Sequence, residues 1–541
     1  MSRKRRQSKT HQTTPAAQQN AESRGSAGGK LFCRLFLLTA AFLAGGAVMI
    51  IELAGNRVLA PWYGNTMYTW TGLIGVILVS ISSGYYLGGY LADRRPDYRM
   101  MAHLLTLSAI LTLLIPALQS AVVESLGDMD VVTGPIAATF VLFAVPGCLL
   151  ASVSPFAVRL VSLLSEDRKV GVSAGSVGMA GTLGSVVGTF ATGFVLVPHL
   201  PLRVIFLVTG GLLATLALCG YLLFWPRTRT NPSLAALLVL PSVVSGILGG
   251  LSGEDLPANV VHERNTFYHR IRVVENPYDG GRTRRTLWLD TTIEGGQLVG
   301  SRENPEEHAY QRYWELARLF APQLKRGVFL GGGAYAMPEA LLDAFPEAEL
   351  DVVEVDPAVV EIGRDYFRVD EYAGRLHPIA ADARRFLRMA DGRYDLVFGD
   401  AYAGIKCIPP HLITREFFEL VSNRLNEGGV FIMNIAAAPT GPNSVVFQSA
   451  LATINEVFPH QCVFASEPEN LDWEQNLFIV AAHHDLRIDD LLDRNFEPND
   501  PDLQLLAGYV RPVRLDLSLA RVFTDEQNPV EYLVAKTLRG G

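Results

Sequence analysis

Cysteine is scarce in this chain: five in 541 residues, at 33, 148, 219, 407 and 462, three of them within apolar stretches and none in a C-x-x-C or other metal-ligand spacing. Neither a disulfide framework nor a zinc site is expected. Also missing is any stripe of arginine and lysine interleaved with aromatics in the second half. With a formal net charge of −8, nucleic acid is a poor partner and a small ligand is expected. Residues 1–30, MSRKRRQSKTHQTTPAAQQNAESRGSAGGK, hold too few apolar side chains to bury surface, which predicts a disordered basic tail. The apolar run behind it continues past Gly45 into MIIELAG, so an anchor rather than a cleaved leader is expected.

What the chain has in quantity is hydrophobic residues, 49% of the total. Within residues 31–252 they form seven runs, near 31–53, 68–92, 101–122, 133–157, 171–197, 203–225 and 233–251. A helix needs roughly 20 apolar residues to cross a bilayer, so this region predicts a multi-pass α-helical membrane domain of about seven helices. Lysine and arginine gather in the tail, in ADRRPDYR, around Arg159–Lys169 and in PRTRT, whereas the alternate loops hold only Arg57 and Arg203. That bias puts the tail on the cytoplasmic side of the inner (plasma) membrane. An odd number of spans would carry the rest of the chain outside. The seventh run, PSVVSGILGGL, is short and interrupted and reads as re-entrant, so a cytoplasmic second half is expected.

Small residues four apart at Gly171/Gly175 and Gly184/Gly188 predict close helix contact in the fifth run. Glu52 and Arg57, near the end of the first, should pair or face a cavity rather than lipid. SGYYLGGYLADRRP resembles the tight cytoplasmic loop of major-facilitator transporters, through Asp93, Arg94 and Arg95. A small-solute carrier is thus one possible use of the spans.

After residue 252 the period changes. VVHERNTFYHRIRVVE and RRTLWLDTTIEGGQL alternate around a Gly-Gly turn, predicting a small β-sheet domain that ends, with the helical EEHAYQRYWELARLFAP, at residue 320. Over residues 321–541 strands and helices alternate as in an α/β Rossmann-like methyltransferase-type domain, with strands at VFLG, LDVVEV, LHPIAA, YDLVFGD, GVFIMNI, CVFAS and NLFIVAA. The first ends in Gly331, Gly332 and Gly333, a turn that lets a ligand approach the backbone and the next helix. Glu354 closes the second strand, where a carboxylate can accept both ribose hydroxyls of a nucleoside. Asp382 and Ala383 follow the third, able to meet an adenine edge, and Asp400 ends the fourth. Four strand ends on one crevice predict a nucleoside site; a nicotinamide dehydrogenase fits the leading β-domain and Asp400 poorly.

TFYHRIRVVE, LWLDTTIE, AYQRYWE, GGGAYAMP, VEVDP, ADARRFL, YDLVFGDAY, LITREFFELV and FTDEQNPVEYL stand in the order and spacing of the spermidine synthase (polyamine aminopropyltransferase) family. From about Val260 onward the sequence resembles that family, and the whole chain resembles its membrane-fused bacterial members. The resemblance implies a donor of the adenosyl-sulfonium type, decarboxylated S-adenosylmethionine or S-adenosylmethionine itself, with no metal. It implies donor binding by Gly331, Gly332, Gly333, Glu354, Asp382, Ala383, Gln311 and Asp290, and catalysis by Asp400 with Tyr310. The implied partners are a small-molecule amine or polyamine and the lipid bilayer, with a homo-oligomer possible.

Three departures qualify the donor and acceptor. The family carries an acid directly after the triple glycine, where this chain has Ala334; a second acid three residues after Asp400, where it has Ala403; and a glutamine where it has His269. Glu294, Glu303, Glu306 or Glu307 is left to compensate. The expected activity is aminopropyl transfer. Methyl transfer, cyclisation or elimination from S-adenosylmethionine, and a nucleoside-sensing module on a solute carrier, are the alternatives. His483, His484 and Asp485 read as a solvated turn, and Cys407 as ordinary packing.

Overall fold

The computed structural model describes residues 27–540 apart from 128, 131, 165–169, 224–256, 267, 303–305, 403–407, 495–500 and 516. Residues 1–26 of the tail, the seventh apolar run, Ala403 and Cys407 lie outside the described residues, while residues 27–30, expected in the disordered tail, already belong to the first helix.

The other six apolar runs each form a helix long and apolar enough to cross a membrane. These are α1 (Ala27–Tyr63), α2 (Met67–Arg94), α3 (Tyr98–Leu126), α4 (Thr133–Leu164), α5 (Val170–His199) and α6 (Leu202–Leu223). They pack chiefly in the pairs α1 with α5, α2 with α4 and α3 with α6. Glycine sets the closest approaches, because without side chains two backbones can touch. A Cβ at Gly188 would stand 2.5 Å from the Gly46 carbonyl oxygen, and one at Gly184 would collide with Phe42. The other glycine pair behaves differently: a Cβ at Gly171 or Gly175 would meet nothing within 4 Å, so only the Gly184/Gly188 end makes the contact expected of both.

Beyond the spans, β1 (Val260–Asn265), β2 (Arg270–Tyr278), β3 (Arg282–Leu289) and β4 (Thr292–Leu298) form an antiparallel meander. Gly280 and Gly281, at φ 69° and 76°, supply the left-handed turn between β2 and β3. A 3₁₀ run over Glu306–Glu315 leads through α7 (Leu316–Phe320) into the main sheet.

That sheet has eight strands in the order β12-β10-β11-β9-β8-β5-β6-β7. Strands β5 (Arg326–Leu330), β6 (Glu349–Glu354), β7 (Leu376–Ala380), β8 (Tyr394–Gly399) and β9 (Leu425–Ala437) run parallel. Strands β10 (His460–Ala465), β11 (Gln475–Ala482) and the short β12 (Tyr509–Val510) complete it antiparallel. The parallel strands are apolar on both faces, as helix-covered strands must be. Val328, Val397 and Phe431 face one core while Phe329, Phe398 and Ile432 face the other. The chain leaves β5 toward β6 and β7 on one side and later returns to β8 and β9 on the other, so the order reverses beside β5 and opens a crevice at the strand ends. Helices α8 (Ala336–Ala344), α9 (Pro357–Tyr366) and α10 (Ala383–Met389) start from that edge.

Candidate active site

A cavity of about 420 Å³ lies in this crevice, of a size suited to a nucleoside with a short side arm. The turn after β5 forms its floor. Gly331 has φ 111°, and a side chain there would collide with the Asp400 carbonyl, so β5 and β8 can diverge around the ligand space only with glycine at this position. Glu354, at the end of β6, braces the turn: its Oε2 accepts the Gly332 N–H at 3.0 Å and its Oε1 the Asp356 N–H at 3.2 Å. Each oxygen keeps a further lone pair for a ligand hydroxyl.

Asp382 caps α10, accepting the Arg385 N–H at 2.8 Å, while its other oxygen lies 2.7 Å from His411 Nε2. The His411 hydrogen bond is the main reason its carboxyl is held below the usual range. Asp400 is in the opposite situation. Its Oδ1 accepts the Asn434 amide at 2.8 Å, and no cationic side chain among the described residues pairs with it. Burial pushes its carboxyl up to about 7, the Asn434 bond opposing and the Glu294 charge adding. Tyr310 stands close by, its hydroxyl held far from ionisation by burial and by the charges of Asp400 and Glu294.

Glu294, on β4, also lines the cavity; burial raises its carboxyl although Thr292 donates to its Oε1 at 2.7 Å. Gln311 is turned to β4, where its Oε1 accepts the Gly296 N–H at 3.3 Å.

The N-terminal helical half contributes to this wall. Arg57 of α1 donates to the Tyr268 carbonyl at 2.6 Å, and Thr291 donates to the Pro61 carbonyl at 2.6 Å. Asn65, between α1 and α2, lines the cavity; its Oδ1 accepts from Asn56 and Trp70 at 3.1 and 2.9 Å. No group of three or more His, Cys, Asp or Glu side chains among the described residues is arranged for a metal ion. His483 instead meets Ser422 Oγ at 2.6 Å.

A family model described as the spermine/spermidine synthase domain matches residues 307–479. The chain carries a spermine/spermidine synthase domain. Similar relatives include the polyamine aminopropyltransferase of Vibrio vulnificus, 29% identical over 238 residues, which cover 42% of this chain and 73% of that one. Polyamine aminopropyltransferase 2 of Aquifex aeolicus is 24% identical over 436 residues, 77% of this chain and 81% of its own. Among solved structures, the spermidine synthase from Thermotoga maritima aligns over 47% of this chain and 85% of its own at 20% identity, with a TM-score of 0.37. The family is one of transferases, and the chain is an enzyme of that class.

Of the residues singled out from sequence, the synthase domain gathers Gly331, Gly332, Gly333, Glu354, Asp382, Ala383, Asp400, Tyr310 and Gln311 around one cavity. Asp290 is the exception. It sits at φ 57° behind the wall, with one oxygen 3.0 Å from His269 Nδ1 and the other accepting the Arg270 N–H at 3.0 Å. Burial would raise its carboxyl, but the bond and charge of His269, the charge of Arg57 and the Arg270 N–H hold it below the usual range. Its partner His269 is held above the ordinary imidazole value: burial opposes this, but the hydrogen bond and charge of Asp290 outweigh it. Asp290 thus stands behind His269, outside the residues that line the cavity. Sequence reasoning also passed over Asn434, Tyr402, His411 and Asn65. Asn434 lies inside the apolar strand β9, Tyr402 follows the end of β8 and His411 a proline pair, each a single polar residue with no spacing signal, and Asn65 belongs to the other half of the chain.

Proposed function

We propose that this chain is a membrane-anchored aminopropyltransferase, taking decarboxylated S-adenosylmethionine as donor and a small amine or polyamine as acceptor. The observation that carries the reading is Asp400: a buried carboxylate with one neutral hydrogen-bond partner, lining the cavity beside the glycine turn. Glu354 takes the ribose diol, the Gly331–Gly333 turn lies under the nucleoside, and Asp382 with the start of α10 meets the base. The unprotonated acceptor nitrogen attacks the carbon next to the sulfonium, in line with the carbon–sulfur bond. That bond's electron pair passes to sulfur, leaving a neutral thioether on the nucleoside. The new ammonium gives a proton to Asp400, whose elevated carboxyl value suits a base near neutral pH. Tyr310 orients the reacting groups beside it.

Membrane anchoring is supported by the six apolar helices and by the contacts of Arg57 and Pro61 with the catalytic domain. Lys30 and Arg34 stand at the start of α1, and the Asp93–Arg159 ion pair of 3.6 Å joins two basic segments. The catalytic domain meets the other end of α1. With α1 crossing the bilayer, domain and tail fall on opposite faces, and the lysine and arginine bias makes the domain's face the outer one. This reading differs from the cytoplasmic placement expected from sequence, which rested on a run outside the described residues.

Incubating the detergent-purified chain with each donor and an amine, then identifying the nucleoside released, tests the activity. Methylthioadenosine from the decarboxylated donor is the expected product. S-adenosylhomocysteine would mean methyl transfer, and binding without product a sensor.

A further inference from the structure

Ala334, where the family's acid is missing, is almost wholly buried, and the reason lies in β4. The start of that strand presses on the glycine turn: the Ala334 N–H points at the Glu294 carbonyl at 3.4 Å, and a Cβ at Gly333 would come 2.6 Å from the same oxygen. A Cβ on Gly295 would in turn meet the Ala334 Cβ at 3.2 Å. Close approach of β4 thus requires a small residue on each side. It also brings the Glu294 side chain to the rim of the turn, beside the place an acid at 334 would occupy.

Glu294 and Asp400 are both deep in the same cavity and each feels the other's charge. Thr292 binds one oxygen of Glu294, and the second has no partner among the described residues. Of the nearby cations, His269 is engaged with Asp290, Arg57 with the Tyr268 carbonyl and His411 with Asp382. Two carboxylates sharing a cavity repel unless a cation lies between them. Glu303, and the side chains of Glu306 and Glu307, lie outside the described residues.

We infer that Glu294 is a specificity residue that grips the ammonium at the end of the donor's aminopropyl arm, having taken over from the turn the anionic contact that Ala334 cannot make. The inference rests on the aminopropyl reading above. It selects a donor ending in an ammonium three carbons from sulfur and disfavours one that also carries a carboxylate at that position, through like-charge repulsion.

The test compares two ligands on the full-length, detergent-solubilised protein by calorimetry: decarboxylated S-adenosylmethionine, and methylthioadenosine, which has the nucleoside without the arm. For Glu294→Gln, which keeps the shape and the Thr292 bond, the decarboxylated donor should weaken about tenfold to a hundredfold, the span of a charge-assisted hydrogen bond. Methylthioadenosine should change by less than about twofold, which also reports that the variant is folded. Equal weakening of both ligands, or of neither, would overturn the role of Glu294. Wild-type protein that binds methylthioadenosine but prefers S-adenosylmethionine would overturn the donor assignment as well. Wild type that turns over the decarboxylated donor while Glu294→Gln binds it unchanged would leave the aminopropyl reading standing and remove only this inference.

Discussion

Replacing Asp400 by asparagine should make the empty protein more stable and the enzyme nearly inert. The carboxyl is pushed from its ordinary 3.8 to about 7, chiefly by burial. A shift of that size corresponds to roughly 4 kcal/mol at about 1.4 kcal/mol per unit, an upper figure because the cavity admits water. Since the folded state holds its proton more tightly than the unfolded chain, the group is harmless to stability below pH 4. It becomes progressively costly as pH rises to about 7. Asparagine is neutral throughout and can still meet the Asn434 amide through its own oxygen. Asp400→Asn should therefore match wild type in thermal melting only below about pH 4, and exceed it at pH 8 by about 1–4 kcal/mol of unfolding free energy. Turnover should fall about 100-fold or more, within the usual range for a lost general base. Wild-type kcat/KM should rise as pH passes through about 7. Equal melting differences at both pH values would show that Asp400 is not a strained buried carboxylate. Unchanged turnover would move the base elsewhere.

Glu354→Gln leaves one oxygen to serve the Gly332 and Asp356 amides and turns an NH₂ against the other, so donor affinity by calorimetry should fall about tenfold or more. Asp400→Asn should change it little, and equal losses in the two variants would place Asp400 among the recognition groups. In the membrane half, Gly188→Leu should drive α1 and α5 apart and lower the melting temperature in detergent, at a cost of about 1–3 kcal/mol or more, whereas Gly175→Leu should be neutral; matching melts would contradict the helix pairing. Reporters fused before Met1 and after Gly541 should report opposite faces of the membrane, and a shared face would refute docking of the domain on the far end of α1.

The parallel sheet and most of the site could be read from the sequence because each buried strand is a continuous apolar run that stops at a chemically distinct residue: Gly331, Glu354, Asp382, Asp400. Apolar length likewise marked the six helices long enough to cross a membrane. What escaped depends on which neighbour a residue meets. Gly171/Gly175 and Gly184/Gly188 share one spacing, yet only the latter faces α1, and no local pattern records that. Asn434 is a single polar residue in the apolar strand FIMNIAA, marked only by its opposition to Asp400 across β8 and β9. Asp290 carries the right residue type at the right place in a hairpin, but His269 beside it draws the carboxylate away from the cavity. Asn65 and Arg57 reach the site across some two hundred residues of chain.

The central claim is transfer of an aminopropyl group, and its most direct measurement is the mass balance of one reaction. Full-length protein, decarboxylated S-adenosylmethionine and a diamine are incubated together, and both product halves are quantified by mass spectrometry. The account predicts methylthioadenosine and the aminopropylated amine in equal amounts, both formed about 100-fold or more slowly in Asp400→Asn. Methylthioadenosine without a lengthened amine, or no product from a donor that nonetheless binds, would contradict it.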